Sequence, residues 1–211
     1  MRELYLLSGL GADKRVFDCL DLSDYKINHV NWIDPLADET IADYAQRLLK
    51  QIPTDNPTLI GVSFGGIMAI EIGKRIKTDK IILISSARLK SDIPIYYRIV
   101  GQFGLHRLMP NSLLKKVNKL TYWFFGVMNE KERSMLKTII AQTDTKFLKW
   151  AIDKIVNWKN DTLLGNVTLI HGTADRILPF NHADTQIKNG GHLMIINKAD
   201  ELSVLIRKSL G

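Results

Sequence analysis

GVSFGG, Gly61–Gly66, is the stretch of sequence that decides the fold. It matches the pattern G-x-S-x-G, and it lies between an apolar run, Thr58–Val62, and a helical pattern, Ile67–Ile76. A serine in a sharp strand-to-helix turn is pushed out of the backbone, and small neighbours let the strand and the helix approach each other closely. This context predicts that Ser63 is a nucleophile and not part of a plain glycine turn.

Short apolar runs alternate with helical patterns on both sides of this turn. The runs that predict strands are Leu4–Leu7, Ile27–Trp32, Thr58–Val62, Ile81–Ile84, Val167–Ile170 and Thr185–Ile187. The flanking helical patterns are Thr40–Gln51, Ile67–Ile76 and Lys198–Leu210. Such alternation predicts an α/β fold with a six-stranded parallel sheet flanked by helices. Ile27–Trp32 is partly polar, so we expect it at an edge of the sheet.

The alternation stops at Arg88 and resumes at Val167. Between these points the sequence contains only helix-like patterns, which are broken by glycines and prolines. We therefore predict a helical insertion between the fourth and fifth strands. The predicted core consists of residues 1–87 and 161–211, and the predicted helical cap, or lid, of residues 88–160.

A serine hydroxyl is a weak nucleophile until a neighbouring base takes its proton. On folds that carry this strand–turn–helix motif, the chain order is serine, acid, histidine. The acid we predict is Asp175, which follows the fifth strand in the stretch HGTAD. The base we predict is His192, which follows the last strand in the stretch NGGH. Both then lie at the carboxyl edge of the sheet, where open parallel sheets bind ligands.

The other four histidines fit the role of base less well. His29 and His106 precede any acid of the required order. His171 ends a strand before the acid, so we interpret it as structural, and His182 is expected at the start of a helix before the last strand. Aspartate commonly caps helices or fills turns, and this remains the alternative interpretation of Asp175.

Acyl transfer also needs hydrogen-bond donors for the negative oxygen that develops on the substrate. We predict the backbone N–H groups of Phe64, directly after the serine, and of Leu10, in the loop Ser8–Gly11. The alternative for this loop is a plain glycine turn. A dinucleotide-binding loop is disfavoured, because the third glycine of G-x-G-x-x-G would fall at Lys14, and the next residue, Arg15, is not a glycine either.

Together these motifs resemble the α/β-hydrolase superfamily, in the group of small bacterial esterase-like members. The resemblance covers nearly the whole chain and rests on Ser8–Gly11, Gly61–Gly66, His171–Asp175 with Pro179, and Gly190–His192. It implies an all-parallel core with a cap inserted after the fourth strand. Two departures stand out. Ser8 occupies a position where many relatives carry histidine. The strand that leads into the predicted oxyanion loop Ser8–Gly11 begins at Arg2, so the two leading strands usual in the family are expected to be missing.

The activity that follows is cleavage of a small or medium carboxylic ester through an acyl-enzyme, without a cofactor or a metal. A thioesterase, a C–C bond hydrolase or an acyltransferase using the same three residues remains an alternative. A non-catalytic ligand-binding relative is the alternative of another class. Fold alone does not decide among these functions.

The positive charge of the chain is concentrated in the predicted cap. Residues 88–160 hold 14 Lys or Arg and 5 Asp or Glu, a net charge of +9, whereas the whole chain carries +7 and the remainder therefore −2. The same span contains 10 of the 17 aromatic residues. Either these aromatics form the cap's own small core under a solvated basic face, or the cap attracts anionic amphiphiles or a lipid surface. Nucleic acid is disfavoured, because no recognition motif accompanies the charge.

The remaining bulk properties are those of an ordinary globular protein, with 45% apolar and 24% charged residues. The single cysteine, Cys19, excludes an internal disulfide framework and is expected to be a small buried side chain. No run reaches the about 18 apolar residues of a membrane helix, and Leu4–Leu7 is too short for a signal peptide. We expect a cytoplasmic protein, and the sequence predicts no oligomeric state.

Overall fold

A computed structural model describes residues 1–179 and 182–211 of the chain. Six parallel strands form a sheet in the order β2-β1-β3-β4-β5-β6. The strands are β1 (Glu3–Leu7), β2 (Lys26–Val30), β3 (Thr58–Val62), β4 (Lys80–Ile84), β5 (Val167–Gly172) and β6 (Thr185–Ile187). The predicted six-stranded parallel sheet is confirmed, and β2 is at an edge as expected.

Helices flank this sheet on both faces. The α-helices are α1 (Ile41–Leu48), α2 (Phe64–Gly73), α3 (Ile95–Gln102), α4 (Asn111–Leu114), α5 (Lys119–Phe125), α6 (Glu130–Gln142), α7 (Thr145–Val156), α8 (Met194–Asn197) and α9 (Ala199–Leu210). Short 3-10 turns span Lys14–Phe17, Leu49–Gln51, Lys90–Asp92 and Leu105–Leu108. Helices α3–α7 lie between β4 and β5, in the interval for which the sequence predicts a helical insertion.

The central strands are apolar at nearly every position because both faces of the sheet are covered. All five residues of β3 are buried. Successive side chains point to opposite faces, so Leu59 packs with α1, α2 and α7 while Ile60 packs with α8 and α9. This burial on both faces fixes the strand register and holds the carboxyl ends of β1, β3 and β5 along one edge.

A buried carboxylate ties α2 to the residues that follow α7. Glu71 accepts hydrogen bonds from Trp158 Nε1 at 2.9 Å and from Lys74 Nζ at 2.8 Å, and it pairs with Arg75 at 3.2 Å. Burial alone would raise the pKa of Glu71, but the hydrogen bonds from Lys74 and Trp158 outweigh it and hold the pKa below its usual value.

Two expectations about single residues are wrong. Cys19 is exposed, because it lies in the polar turn between the buried residues Phe17 and Leu22. His182 is exposed in an irregular stretch before β6 and does not begin a helix. Its carbonyl instead accepts a hydrogen bond from Arg88, whose guanidinium also pairs with Asp184.

Candidate active site

Ser63 occupies the sharp turn between β3 and α2. Its backbone has φ 51° and ψ −118°, a conformation with positive φ that a residue with a side chain adopts only when its surroundings hold it there. The Ser63 N–H donates to Ile84 O at 2.9 Å, and the Ser63 carbonyl accepts from Ser86 Oγ at 2.6 Å and from Gly66 N at 3.0 Å. These three bonds stabilise the strained turn.

Glycines beside Ser63 permit the close approach of strand and helix. A Cβ on Gly61 would overlap the backbone of Gly65 in the next helix, and a Cβ on Gly65 would overlap the carbonyl oxygens of Leu7 and Ser8 at the end of β1. The spacing of G-x-S-x-G therefore has a direct steric cause in this chain.

The structure brings together the serine, the histidine and the aspartate that the sequence singles out. His192 Nε2 lies 2.9 Å from Ser63 Oγ, and His192 Nδ1 lies 2.8 Å from Asp175 Oδ2. An ionised carboxylate can only accept hydrogen bonds, so Nδ1 donates to Asp175 and Nε2 is left to accept the serine proton. The Oδ1 atom of Asp175 accepts from the backbone N–H groups of Ile177 and Leu178, each at 2.9 Å.

The carboxylate of Asp175 is buried and ionised. Burial alone would raise its pKa, but the charge of His192 and hydrogen bonds from His171 and His192 outweigh burial and hold the pKa well below its usual range. His171 Nε2 lies 3.3 Å from Asp175 Oδ2 and donates to Leu178 O at 2.8 Å. Sequence reasoning missed this contact, although the spacing of four residues between His171 and Asp175 was visible.

The loop after β1 passes directly beside Ser63. Gly9 O accepts from Ala12 N at 3.0 Å, which closes a turn whose third residue, Gly11, has φ 75°. A Cβ on Gly9 would lie 3.6 Å from Ser63 Cβ, so the loop is in van der Waals reach of the serine. Ser8 Oγ donates to Ala12 O at 2.7 Å, so the hydroxyl of Ser8 also closes this loop.

The backbone N–H groups of Phe64 and Leu10 have no acceptor among the residues that the structure describes. Phe64 is the first residue of α2, so its N–H lies outside the hydrogen-bond ladder of the helix. Leu10 lies in the turn after β1, and its N–H is likewise unpaired within the described chain. These are the two groups that the sequence singles out as oxyanion donors.

Two segments of the helical insertion contact the loops of this site. Thr143, the residue after α6, packs against Gly11, and its hydroxyl lies 3.1 Å from Gly11 O. At the end of α5, the rings of Phe125 and His192 meet edge to face, with centroids 5.8 Å apart. Leu193 N donates to Phe125 O at 3.2 Å.

Gly126 and Gly191 meet backbone to backbone beside that ring contact. Gly126 ends α5 with φ 69°, and a Cβ added to it would lie 2.9 Å from the Cα of Gly191. Asn197 of α8 donates to Gly126 O at 3.4 Å and to the buried carboxylate of Glu132 at 3.3 Å. The insertion is therefore fixed to the segment that carries His192.

An aromatic cluster lies behind the turn that holds the serine. Phe64 contacts Trp32 with ring centroids 5.3 Å apart, and it meets Trp150 of α7 edge to face at 6.2 Å. Phe147 and Tyr44 complete the cluster, which joins α1, α2 and α7.

Two surface cavities lie away from Ser63. One, of about 380 Å³, is lined by residues 52–57, 76 and 77. The other, of about 470 Å³, is lined by residues 19 and 196–201.

No group of three or more His, Cys, Asp or Glu side chains within residues 1–179 and 182–211 is arranged to hold a metal ion. Within the same ranges, no helix is long and apolar enough to cross a membrane.

Comparison with known proteins identifies the fold. No family model and no curated protein sequence matches the chain. Among solved structures, a thermophilic esterase from Thermogutta terrifontis matches with a TM-score of 0.68 and 16% identity, over 100% of this chain and 89% of the esterase. An esterase from Exiguobacterium antarcticum matches with a TM-score of 0.66 and 15% identity, over 100% and 92% of the two chains. A bromoperoxidase from Bacillus anthracis matches with a TM-score of 0.67 and 16% identity, over 99% of this chain and 91% of the bromoperoxidase.

Proposed function

We propose that this chain, which has the α/β-hydrolase fold, is a serine hydrolase that cleaves a small or medium carboxylic ester. One observation carries the proposal: an unbroken hydrogen-bond chain runs from Ser63 through His192 to an ionised Asp175, at the carboxyl edge of the sheet. A hydroxyl, a base within 2.9 Å of it and an acid that orients the base are the parts that nucleophilic acyl transfer requires.

The reaction follows from the positions of these atoms. His192 Nε2 takes the hydroxyl proton while Ser63 Oγ attacks the carbonyl carbon of the ester. The N–H groups of Phe64 and Leu10 donate to the oxygen that becomes negative. Collapse of this intermediate breaks the bond to the alcohol, which leaves with the proton from His192. Water, activated by the same histidine, then releases the acid and restores the serine.

Residues 88–160 act in this proposal as a cap on a core made of residues 1–87 and 161–211. The contacts of Thr143 with Gly11 and of Phe125 with His192 support this role, because each joins the insertion to a loop of the site. Phe147 and Trp150 of the insertion also pack on Phe64, the residue after the serine, and so join the insertion to the turn that holds Ser63.

The substrate class is a further part of the proposal. The insertion carries a net charge of +9, which favours anionic or amphiphilic esters over neutral ones. The fold neighbours named as esterases are similar proteins with the same architecture, and they agree with an ester substrate. Thioesters, C–C bonds and acyl transfer to another acceptor use the same three residues and remain the alternatives. The single thiol, Cys19, suits the cytoplasm as the location.

Labelling with a fluorophosphonate tests whether the serine is activated. The probe should modify Ser63, located by mass spectrometry of the labelled peptide, and Ser63→Ala should remain unlabelled. Ser112→Ala, an exposed serine of the insertion, is the matched control and should label like the wild type. A protein that stays unlabelled and hydrolyses no ester of any chain length would instead be a binding protein.

A further inference from the structure

The stretch from Ile95 to Met128 exposes an unusual amount of apolar surface. Of the 15 large hydrophobic residues that are exposed in the described chain, 11 fall in these 34 positions. They are Ile95, Tyr96, Ile99, Phe103, Leu105, Leu108, Leu113, Leu120, Trp123, Phe124 and Met128. Exposed fractions reach 80% for Leu108 and 71% for Phe103. We call these residues and the cations between them the 95–128 surface.

The charged residues of the 95–128 surface all have one sign. The stretch contains five Lys or Arg and no Asp or Glu. Lys115, Lys116 and Lys119 are exposed and form no ion pair with any residue that the structure describes. An apolar surface interspersed with unpaired cations therefore stands out from a remainder of the molecule that is nearly neutral.

The exposed side chains are not required for packing within the chain. Helix α3 packs on α7 through Gly101, where a Cβ would crowd Val156. Ile95 and Ile99 of α3, and Phe103 directly after it, therefore remain outside. Helix α5 points Phe125 toward His192, and Trp123 remains 52% exposed even though Arg176 stacks on it at 4.4 Å.

We propose that the 95–128 surface docks this protein onto a lipid bilayer that contains anionic lipids. Leucine and aromatic side chains interspersed with Lys and Arg are the composition of segments that lie in a membrane interface. Arg107 pairs with Asp153, but anionic headgroups complement the other four cations, which form no ion pair with any residue that the structure describes. A second copy of the chain would set one cationic surface against another, so self-association is disfavoured.

The docking surface and the candidate active site share a helix. Helix α5 presents Leu120, Trp123 and Phe124 outward, and its last residue, Phe125, contacts the ring of His192. Docking would therefore bring the insertion's contact with His192 to the lipid boundary, where amphiphilic molecules concentrate.

Co-sedimentation with vesicles tests the proposal without requiring hydrolysis. The full chain carrying Ser63→Ala is mixed with sucrose-loaded vesicles of phosphatidylcholine alone, or with about 30% phosphatidylglycerol. We expect binding to the anionic vesicles that is at least about tenfold stronger than binding to the neutral ones, and that weakens as salt is raised from about 0.1 to 0.5 M. Because the assay measures binding alone, its result is independent of whether Ser63 is a nucleophile.

Two sets of variants identify the surface. Replacing Lys115, Lys116 and Lys119 together by Glu should lower the affinity for anionic vesicles at least about tenfold, and Phe103→Ser with Leu108→Ser should lower it as well. The matched control reverses three exposed lysines outside the insertion, Lys50, Lys77 and Lys208, and should bind nearly as wild type does.

Four outcomes would overturn the proposal. Equal binding to neutral and anionic vesicles would remove the role of charge, and equal losses in the two lysine sets would remove the role of this surface. No vesicle binding, with a dimer in analytical ultracentrifugation that Phe103→Ser abolishes, would assign the surface to a second copy of the chain. No vesicle binding by a monomer that associates with a polyglutamate peptide would assign it to an acidic protein partner.

Discussion

Thr143 packs against Gly11, and the two residues lie 132 positions apart in the sequence. The Thr143 hydroxyl lies 3.1 Å from the Gly11 carbonyl, and it donates to Ile139 O at 2.7 Å as well. Gly11 has φ 75° in the turn that contains Leu10, one of the two proposed oxyanion donors. A residue of the helical insertion thus abuts the turn on which that donor depends.

Gly11→Ala should lower kcat on a p-nitrophenyl ester by about 10²-fold with a smaller change in KM. The new Cβ would overlap the Thr143 side chain, so the turn must shift and the Leu10 N–H moves with it. Loss of one oxyanion donor typically costs 10²- to 10³-fold in kcat. Steady-state kinetics on the purified variant measure the effect.

Gly104→Ala separates this effect from backbone strain. Gly104 has φ 66°, close to that of Gly11, but a Cβ there meets only Arg107 Cδ at 3.8 Å. It should lose about 1 kcal/mol of stability and keep its activity. Adding Thr143→Ala to Gly11→Ala should restore part of kcat, and a double variant as slow as Gly11→Ala would argue against the steric mechanism.

Ser63→Ala should lower turnover by at least about 10³-fold while circular dichroism and Tm stay near those of the wild type. His192→Ala should lower turnover by a similar factor. Because the two side chains act as one unit, the double variant should be no slower than either single variant. Losses that multiply in the double variant would mean that the residues act independently, and activity of Ser63→Ala within tenfold of wild type would remove the assignment.

Asp175→Asn should keep the local fold and lose activity. The Asn carbonyl can still accept from the N–H groups of Ile177 and Leu178, but its NH2 faces His192 Nδ1 in place of a carboxylate oxygen. The histidine is then left in the wrong tautomer, which in a serine protease costs on the order of 10⁴-fold in kcat. Asp144→Asn, an exposed helix cap of the insertion, is the control and should keep full activity.

Glu71→Gln should destabilise the protein at neutral pH by about 1–2 kcal/mol, since Lys74 and Arg75 lose a charged partner but are partly solvated. The pKa of Glu71 is lowered in the folded chain, so its contribution is complete above the unfolded pKa of about 4.3 and is lost as pH falls through the folded value. Urea unfolding at pH 7 and in acid should show the difference from wild type shrinking as pH falls. Glu130→Gln, at an exposed pair with Arg133, should change little at either pH.

The strands of this fold could be predicted because burial on both faces leaves a strong local pattern. Runs such as Thr58–Val62 are apolar throughout, and the turn after them has a sequence motif with a steric cause. The order of Ser63, Asp175 and His192 along the chain was enough to select three side chains that the structure brings into hydrogen-bond contact, although their catalytic roles remain predictions.

The contacts of the insertion could not be read from the sequence. Thr143 and Gly126 carry no local signal for their distant partners, because a contact across more than 60 positions depends on how whole helices pack. Cys19 was misjudged for the opposite reason: residue type alone favours burial, but the turn that contains it faces solvent. The aromatic residues of the insertion fit both interpretations offered by the sequence. Phe147 is buried, as expected for a core of the cap, whereas Phe103 is exposed, as expected for a surface that attracts amphiphiles or lipid.

Because the backbones of Gly126 and Gly191 are in contact, substitutions at these two distant positions constrain each other. A Cβ on Gly126 would lie 2.9 Å from Gly191 Cα, and a Cβ on Gly191 would lie 3.0 Å from Gly126 Cα, so a methyl group at either position requires the facing backbone to shift. We expect the two glycines to persist or to disappear together among descendants of this sequence. In a chimera whose insertion comes from a related chain, we expect the segment that carries His192 to keep its structure only when the new insertion has a glycine at the position of Gly126, facing Gly191.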